Sequence, residues 1–178
     1  ILADKEEIGN MGATGMQSSF FEDMVAEVLA LTGEDSPVKV RRVLRNSCML
    51  SSDVSAAYDP LYPEVFEKKN TAYFGRGLVL NKYTGSRGKN GTSDANAEYV
   101  AKVRNVFDNN HVAFQTAELG KVDQGGGGTI AYVMANKAMS VIDSGVAVLS
   151  MHAPYEVTSK SDVYEVYRGY KAFLKDMK

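Results

Sequence analysis

A chain of 178 residues, 44% hydrophobic and 24% charged, is long and apolar enough to bury one sizeable core, which excludes a disordered segment. A formal net charge of -2, with 20 Lys and Arg dispersed among 22 Asp and Glu, presents no broad basic face to nucleic acid or an anionic membrane. The single cysteine, Cys48, excludes an internal disulfide framework and reads as a packed thiol in a reducing compartment. No run reaches the ~18 apolar residues of a spanning helix, and the opening lacks a basic-then-apolar leader. A soluble, cytoplasmic protein is expected.

The opening stretch, ILADKEEIG, reads as a strand running into a loop, with the adjacent carboxylates Glu6 and Glu7 at its C-terminal edge. From Ser18 to Leu31, Phe20, Phe21, Met24, Val25, Val28 and Leu29 recur at helical spacing, with Ser18 or Ser19 as N-cap and Gly33 just past the end. A second helix after Pro37 runs through Arg41 to Asn46, and SCMLSSD reads as a buried strand delivering Asp53 at its end. Tyr58 to Asn70, with Pro60 and Pro63, reads as a surface loop containing a short helical turn.

GLVLNKYTGSRGKNGTSDAN combines a strand with an exposed, glycine-punctuated loop. That loop caps a helix from about Ala95 to Phe107, with Tyr99, Val100, Val103, Val106 and Phe107 on one stripe. VAFQTAEL follows as a strand, GGGGTIAYVMANKAM as a glycine-rich turn opening a helix, AVLSMH as a strand ending at His152, and residues 161–175 as a final helix. Strands alternating with amphipathic helices predict an α/β three-layer sandwich, with no repeat and no internal linker.

Glu6, Glu7, Asp53 and His152 all fall just after predicted strands, and strand ends in an α/β sheet converge where ligands bind. Carboxylate and imidazole are the donors of a hydrolytic zinc site, and two adjacent carboxylates let one bind metal while its neighbour handles a proton. A metal would also offset the repulsion between Glu6 and Glu7. The spacing alone leaves a second reading open, in which Glu6 and Glu7 are a solvated pair, Asp53 a turn residue and His152 a core histidine. Gly125, Gly126, Gly127, Gly128 and Thr129 open a helix as an anion site would, but lack the Lys-Ser/Thr of a nucleotide loop. They read either as a close approach of substrate to backbone or as a tight turn.

Four segments carry a resemblance: DKEEIG at 4–9, SSDVSAAYDP at 51–60, GGGGTIAY at 125–132 and SMHAPYEVTSKSDVYEVYRGYKAFL at 150–174. In this order they resemble the aminopeptidase I and aspartyl aminopeptidase family of cocatalytic zinc exopeptidases over nearly the whole chain. The resemblance implies a zinc-exopeptidase-like fold around a mixed β-sheet, two divalent metal ions, most simply zinc, and removal of N-terminal residues from peptide substrates. It implies Glu6 as general base, Glu7 and His152 as ligands of one ion, Asp53 as ligand of the other, and the Gly125 to Thr129 turn beside the substrate. The family's closed homo-oligomers, dodecamers, are implied as well. A non-catalytic metal-binding or structural module on the same fold is the competing expectation.

Two departures bear on that pattern. The family often carries a histidine-containing motif after the aspartate, where this chain has VSAAYDP, and aspartyl aminopeptidases carry a lysine where Asn81 stands. Acidic specificity is therefore not implied, although Lys82, Arg87 and Lys89 are cations available to read an acidic side chain or to form a solvated loop. The family's bridging aspartate and a further histidine ligand come from segments upstream of its DKEE motif. Residues 1–178 are accordingly expected to be the C-terminal portion of the catalytic domain, inactive without an upstream N-terminal part of the same enzyme.

Overall fold

The computed structural model describes residues 1–86 and 90–178, so Arg87 and Lys89 lie outside the described residues. These residues form two compact bodies: Ile1–Met49 with Ile130–Ser140, and Leu50–Thr129 with Val141–Lys178.

The first body carries α1 (Phe20–Leu31), α2 (Pro37–Arg45) and, from its second segment, α4 (Ala131–Ala135). Glu22 and Asp23 lie in the first turn of α1, where the helix dipole favours negative charge. Gly33, at φ +78°, donates its N–H to the Ala30 carbonyl and stops the helix in the left-handed conformation a side chain would resist. Ser36 caps α2 by accepting from the Val38 N–H, with Pro37 in the first position where no donor is needed. Phe20, Met24, Val28 and Leu31 remain exposed along one stripe of α1.

The expected strand at residues 1–5 does not form. A strand exists through pairing, and this segment has none; it runs into a turn closed by Gly9 N–H to Glu6 O at 3.0 Å and Asn10 N–H to Lys5 O at 2.9 Å.

The strands are β1 (Cys48–Ser52), β2 (Ser55–Ala56), β3 (Leu78–Asn81), β4 (Tyr83–Ser86), β5 (Asn90–Asp94), β6 (Phe114–Thr116), β7 (Ser140–Gly145), β8 (Ala147–Leu149) and β9 (Val157–Thr158). With α3 (Ala97–Asn109) and α5 (Lys160–Asp176), they complete a mixed α/β fold. The main sheet has the order β1-β7-β3-β6, with β3 parallel to β6 and antiparallel to β7, so that Asn81 faces Asp143 and Leu80 faces Ser144.

All four residues of β3 are buried, because both faces of this central strand are covered. Leu78, Leu80 and Ile142 pack with Tyr99, Val103 and Phe107 of α3 and Ala172 of α5. Val79, pointing the other way, packs with Ala57, Ala72, Ala117 and Ala147. Asn96 caps α3 by accepting from the Tyr99 N–H at 2.7 Å.

Three further expectations change. β1 is an edge strand in which only Ser51 is buried, so Cys48 is exposed rather than packed. The loop expected after β3 is the antiparallel β4–β5 ribbon, with Tyr83 opposite Asp94 and Thr84 opposite Ser93. β7 was not anticipated, because Asp, Ser and Gly are poor strand formers; its place between β1 and β3 overrides their propensity. No helix among the described residues is long and apolar enough to cross a membrane.

Candidate active site

Glu6 and Glu7 sit in the first body, on the turn preceding α1 rather than at a strand end. The Glu6 carbonyl accepts from the Gly9 N–H and from Asn10 Nδ2 at 3.3 Å. Asn10 is itself buried at φ +61° and accepts from the Gln17 N–H, so its backbone and side chain together lock the turn that presents the two carboxylates. Glu6 is half-buried and Glu7 exposed.

Asp53 and His152 belong to the second body. Asp53 follows β1 directly, as the spacing predicts, and its carboxylate accepts from the Val54 N–H at 2.7 Å. Its own N–H reaches Ser144 O at 3.3 Å, and a Cβ added at Gly145 would lie 1.5 Å from the Asp53 carbonyl oxygen. Only glycine permits that approach. His152 occupies the loop joining antiparallel β8 and β9. It is exposed, with φ +66°, and Ser150 two residues earlier has φ +58°. Two non-glycine residues in the left-handed region within three positions mark a strained loop of the kind found at functional sites. Glu156 Oε1 accepts from the His152 N–H at 2.6 Å and holds it there.

The glycine-rich segment is packed against its surroundings at successive points. Gly125 donates to Lys121 O at 2.7 Å, Gly126 has φ +95°, and Gly127 O accepts from the Gly85 N–H at 3.0 Å. Among the described residues, no atom lies within 4 Å of where a Cβ on Gly127 would sit. The segment does open a helix, α4, but one of only 5 residues. Thr129 is buried, and its hydroxyl donates to Asp143 Oδ2 at 2.9 Å.

Asp143 was not singled out from the sequence, although a lone carboxylate in the apolar stretch SVIDSGVAVL is the pattern of a buried acid. It is 2% exposed, and Oδ2 also accepts from Thr84 Oγ1 at 3.3 Å. Burial pushes its carboxyl up to about 6, assisted by the negative charge of Asp53; contacts from Thr129, Ser51 and Thr84 oppose the shift. Among the described residues, Oδ1 has no hydrogen bond of normal geometry, although the Ser51 side chain is near enough to favour the charged form of the carboxyl. Beside it, Asn81 is buried and accepts from Ser55 Oγ at 3.2 Å, so it is committed within the protein. Lys82 pairs with Asp94. On the opposite face of the sheet, the Tyr170 hydroxyl donates to Ser144 O at 2.6 Å, and burial raises its pKa.

Carboxylates and an imidazole are the donor types zinc takes, and Glu7, Asp53 and His152 fit it in that respect. Among the described residues, no three His, Cys, Asp or Glu side chains form a group able to hold a metal ion. The donors suit zinc, then, but the described residues do not by themselves assemble a closed set.

The model of the family described as aminopeptidase I zinc metalloprotease (M18) matches residues 1–174. The chain is 61% identical over 176 residues to a probable M18 family aminopeptidase 1 of Clostridium acetobutylicum, covering 99% of this chain and 38% of that protein. It is 45% identical to the Thermotoga maritima protein of the same name, covering 99% of this chain and 40% of the relative. It thus spans about two fifths of the length of these curated relatives. The T. maritima M18 aminopeptidase crystal structure superposes with a TM-score of 0.91 at 45% identity, over 96% of this chain and 38% of that one. A Saccharomyces cerevisiae mApe1 dodecamer superposes with a TM-score of 0.73 at 25% identity, over 98% and 37%. With a family model matched along almost its whole length, the chain belongs to the aminopeptidase I zinc metalloprotease family, M18.

Proposed function

We propose that this chain is the C-terminal portion of the catalytic domain of a zinc-dependent, cytoplasmic aminopeptidase that removes N-terminal residues from peptides. The observation carrying this reading is the family match along residues 1–174, which takes in Glu6 and Glu7, Asp53, the glycine-rich segment and His152 in one order. Glu7 and His152 would hold one zinc ion and Asp53 a second. A catalytic zinc takes about three protein ligands, so the remaining donors would come from an upstream part of the same enzyme. When bound, zinc supplies an activated water and polarises the scissile carbonyl.

Glu6, adjacent to a ligand and itself half-buried, takes the proton of the attacking water and returns it to the leaving amine. The Gly125 to Thr129 segment lies along the substrate, with Gly127 offering backbone unobstructed by a side chain. Lys82 is paired with Asp94 and Asn81 is buried, which supports a preference for neutral rather than acidic N-terminal residues. The yeast relative's dodecamer supports a closed homo-oligomer, in which only short peptides reach the sites.

The test is zinc content and turnover of an aminoacyl-anilide panel by the intact enzyme, with Glu6→Gln beside the native protein. Two zinc ions per chain are expected, retained in the variant, with kcat reduced at least about a hundredfold. Normal turnover by Glu6→Gln would remove Glu6 as base. An enzyme that binds no zinc and cleaves no anilide would instead be a non-catalytic module on this fold.

A further inference from the structure

We propose that Asp143 is a positioning residue that clamps the glycine-rich segment through Thr129, setting where the Gly127 backbone meets the substrate; this rests on the reading above that the segment lies along the substrate. A carboxylate in the interior of a central strand is costly to bury, and an apolar side chain would serve packing there better. Asp143 is 2% exposed on β7, between β1 and β3.

One of its oxygens is fully used. Oδ2 accepts from Thr129 Oγ1 at 2.9 Å and from Thr84 Oγ1 at 3.3 Å, and the two hydroxyls lie 3.5 Å apart. The residue after Thr84, Gly85, donates its backbone N–H to Gly127 O at 3.0 Å. The segment is therefore tied at two points, two residues apart, to β4 and β7. β1, which Asp53 follows directly, is the strand next to β7. Thr129, included above among the residues lying along the substrate, meets Asp143 with its hydroxyl and acts as the anchor of that segment.

Among the described residues, Oδ1 has no hydrogen bond of normal geometry, with the Ser51 side chain near enough to favour the charged form, so the bonds of normal geometry that Asp143 makes are those to the two threonine hydroxyls. What distinguishes it from an apolar residue is the pair of threonine hydroxyls it holds.

The experiment compares Thr129→Val, Thr129→Ser and Asp143→Asn in the intact enzyme, measuring kcat and KM on an aminoacyl-anilide, zinc content, and hydrogen exchange of the amides at 125–129. Thr129→Val is expected to raise KM about tenfold or more, with zinc content and kcat nearly unchanged and with faster exchange in the segment. Thr129→Ser and Asp143→Asn, which keep a donor and an acceptor at Oδ2's position, are expected to restore both readouts. A Thr129→Val enzyme that is less stable but has native KM and native exchange overturns the clamp, as does a loss of kcat and zinc with KM unchanged. Should the native enzyme cleave no anilide, the functional reading fails. Exchange then decides the clamp alone: acceleration in Thr129→Val supports it, and an unchanged rate overturns it.

Discussion

Glu156 Oε1 accepts from the backbone N–H of His152 at 2.6 Å, four residues back across the β8–β9 loop, and holds that histidine at φ +66°. A left-handed conformation costs a non-glycine residue about 1–2 kcal/mol, and a charge-assisted hydrogen bond is large enough to offset it. With His152 as the zinc ligand proposed above, Glu156→Ala is expected to lower zinc affinity at least about tenfold, the scale for losing a group that orients a metal ligand, while Glu156→Gln, which still accepts, keeps most of it. Competition with a chelating dye measures the difference, and equal affinity in native and Ala proteins would show that the loop holds His152 without Glu156.

Gly145 and Gly127 are predicted to respond oppositely to alanine. At Gly145 the new methyl would lie 1.5 Å from Asp53 O, a backbone atom that cannot rotate away, so a loss of about 3 kcal/mol or outright misfolding is expected. At Gly127 no atom of the described residues lies within 4 Å of the added methyl, and the stability change should stay within about 0.5 kcal/mol while KM rises. Denaturant midpoints beside kinetics on the same two proteins check this.

Asp143 makes stability depend on pH. Its folded pKa is raised from 3.8 to about 6, so the folded state holds more protons than the unfolded state between those values. The associated stability is complete below about pH 3.8 and is lost as pH rises through about 6. Asp143→Asn cannot ionise, and its stability relative to the native protein should therefore increase between pH 4 and pH 8 by up to about 3 kcal/mol. Chemical unfolding at several pH values is the measurement; a pH-independent difference would mean that Asp143 titrates normally.

Asp162, in the first turn of α5, accepts from the Gly75 and Gly77 N–H groups at 2.8 Å each and pins the turn that leads into β3. Asp162→Ala leaves both donors unpaired, one of them fully buried, and should cost about 3 kcal/mol. An unfolding midpoint shifted by less than a third of that would show that water replaces the carboxylate.

Zinc itself offers the last test. With no group of three ligands among the described residues, residues 1–178 alone are expected to bind zinc no tighter than micromolar and to show no peptidase activity. Two equivalents bound below micromolar, with activity and no second polypeptide, would mean that this chain completes its own sites.

Features governed by local chemistry were legible in the amino-acid order. The stripe of Tyr99, Val103, Val106 and Phe107 specifies α3, Pro37 opens α2, and the apolar LVL run specifies a strand. Asp53 directly follows β1, and a strand before a polar turn can be read from a few residues. The motifs around Glu6, Asp53 and His152 pointed to the family on the same local footing.

Other features needed the tertiary structure. SVIDSG is a strand only because β1 and β3 flank it, and the residues after β3 form a ribbon only because β4 and β5 find each other. Residues 1–5, with strand-like composition but no pairing, became the approach to a turn. Asp143 owes its raised pKa to burial in the sheet, and the hydroxyls it holds belong to Thr84 and Thr129, 59 and 14 residues away in the chain. Helices close their hydrogen bonds within a few residues, so their sequences announce them. Strand pairing, burial of a carboxylate and the company it keeps depend on segments distant in sequence, and only the folded chain brings those together.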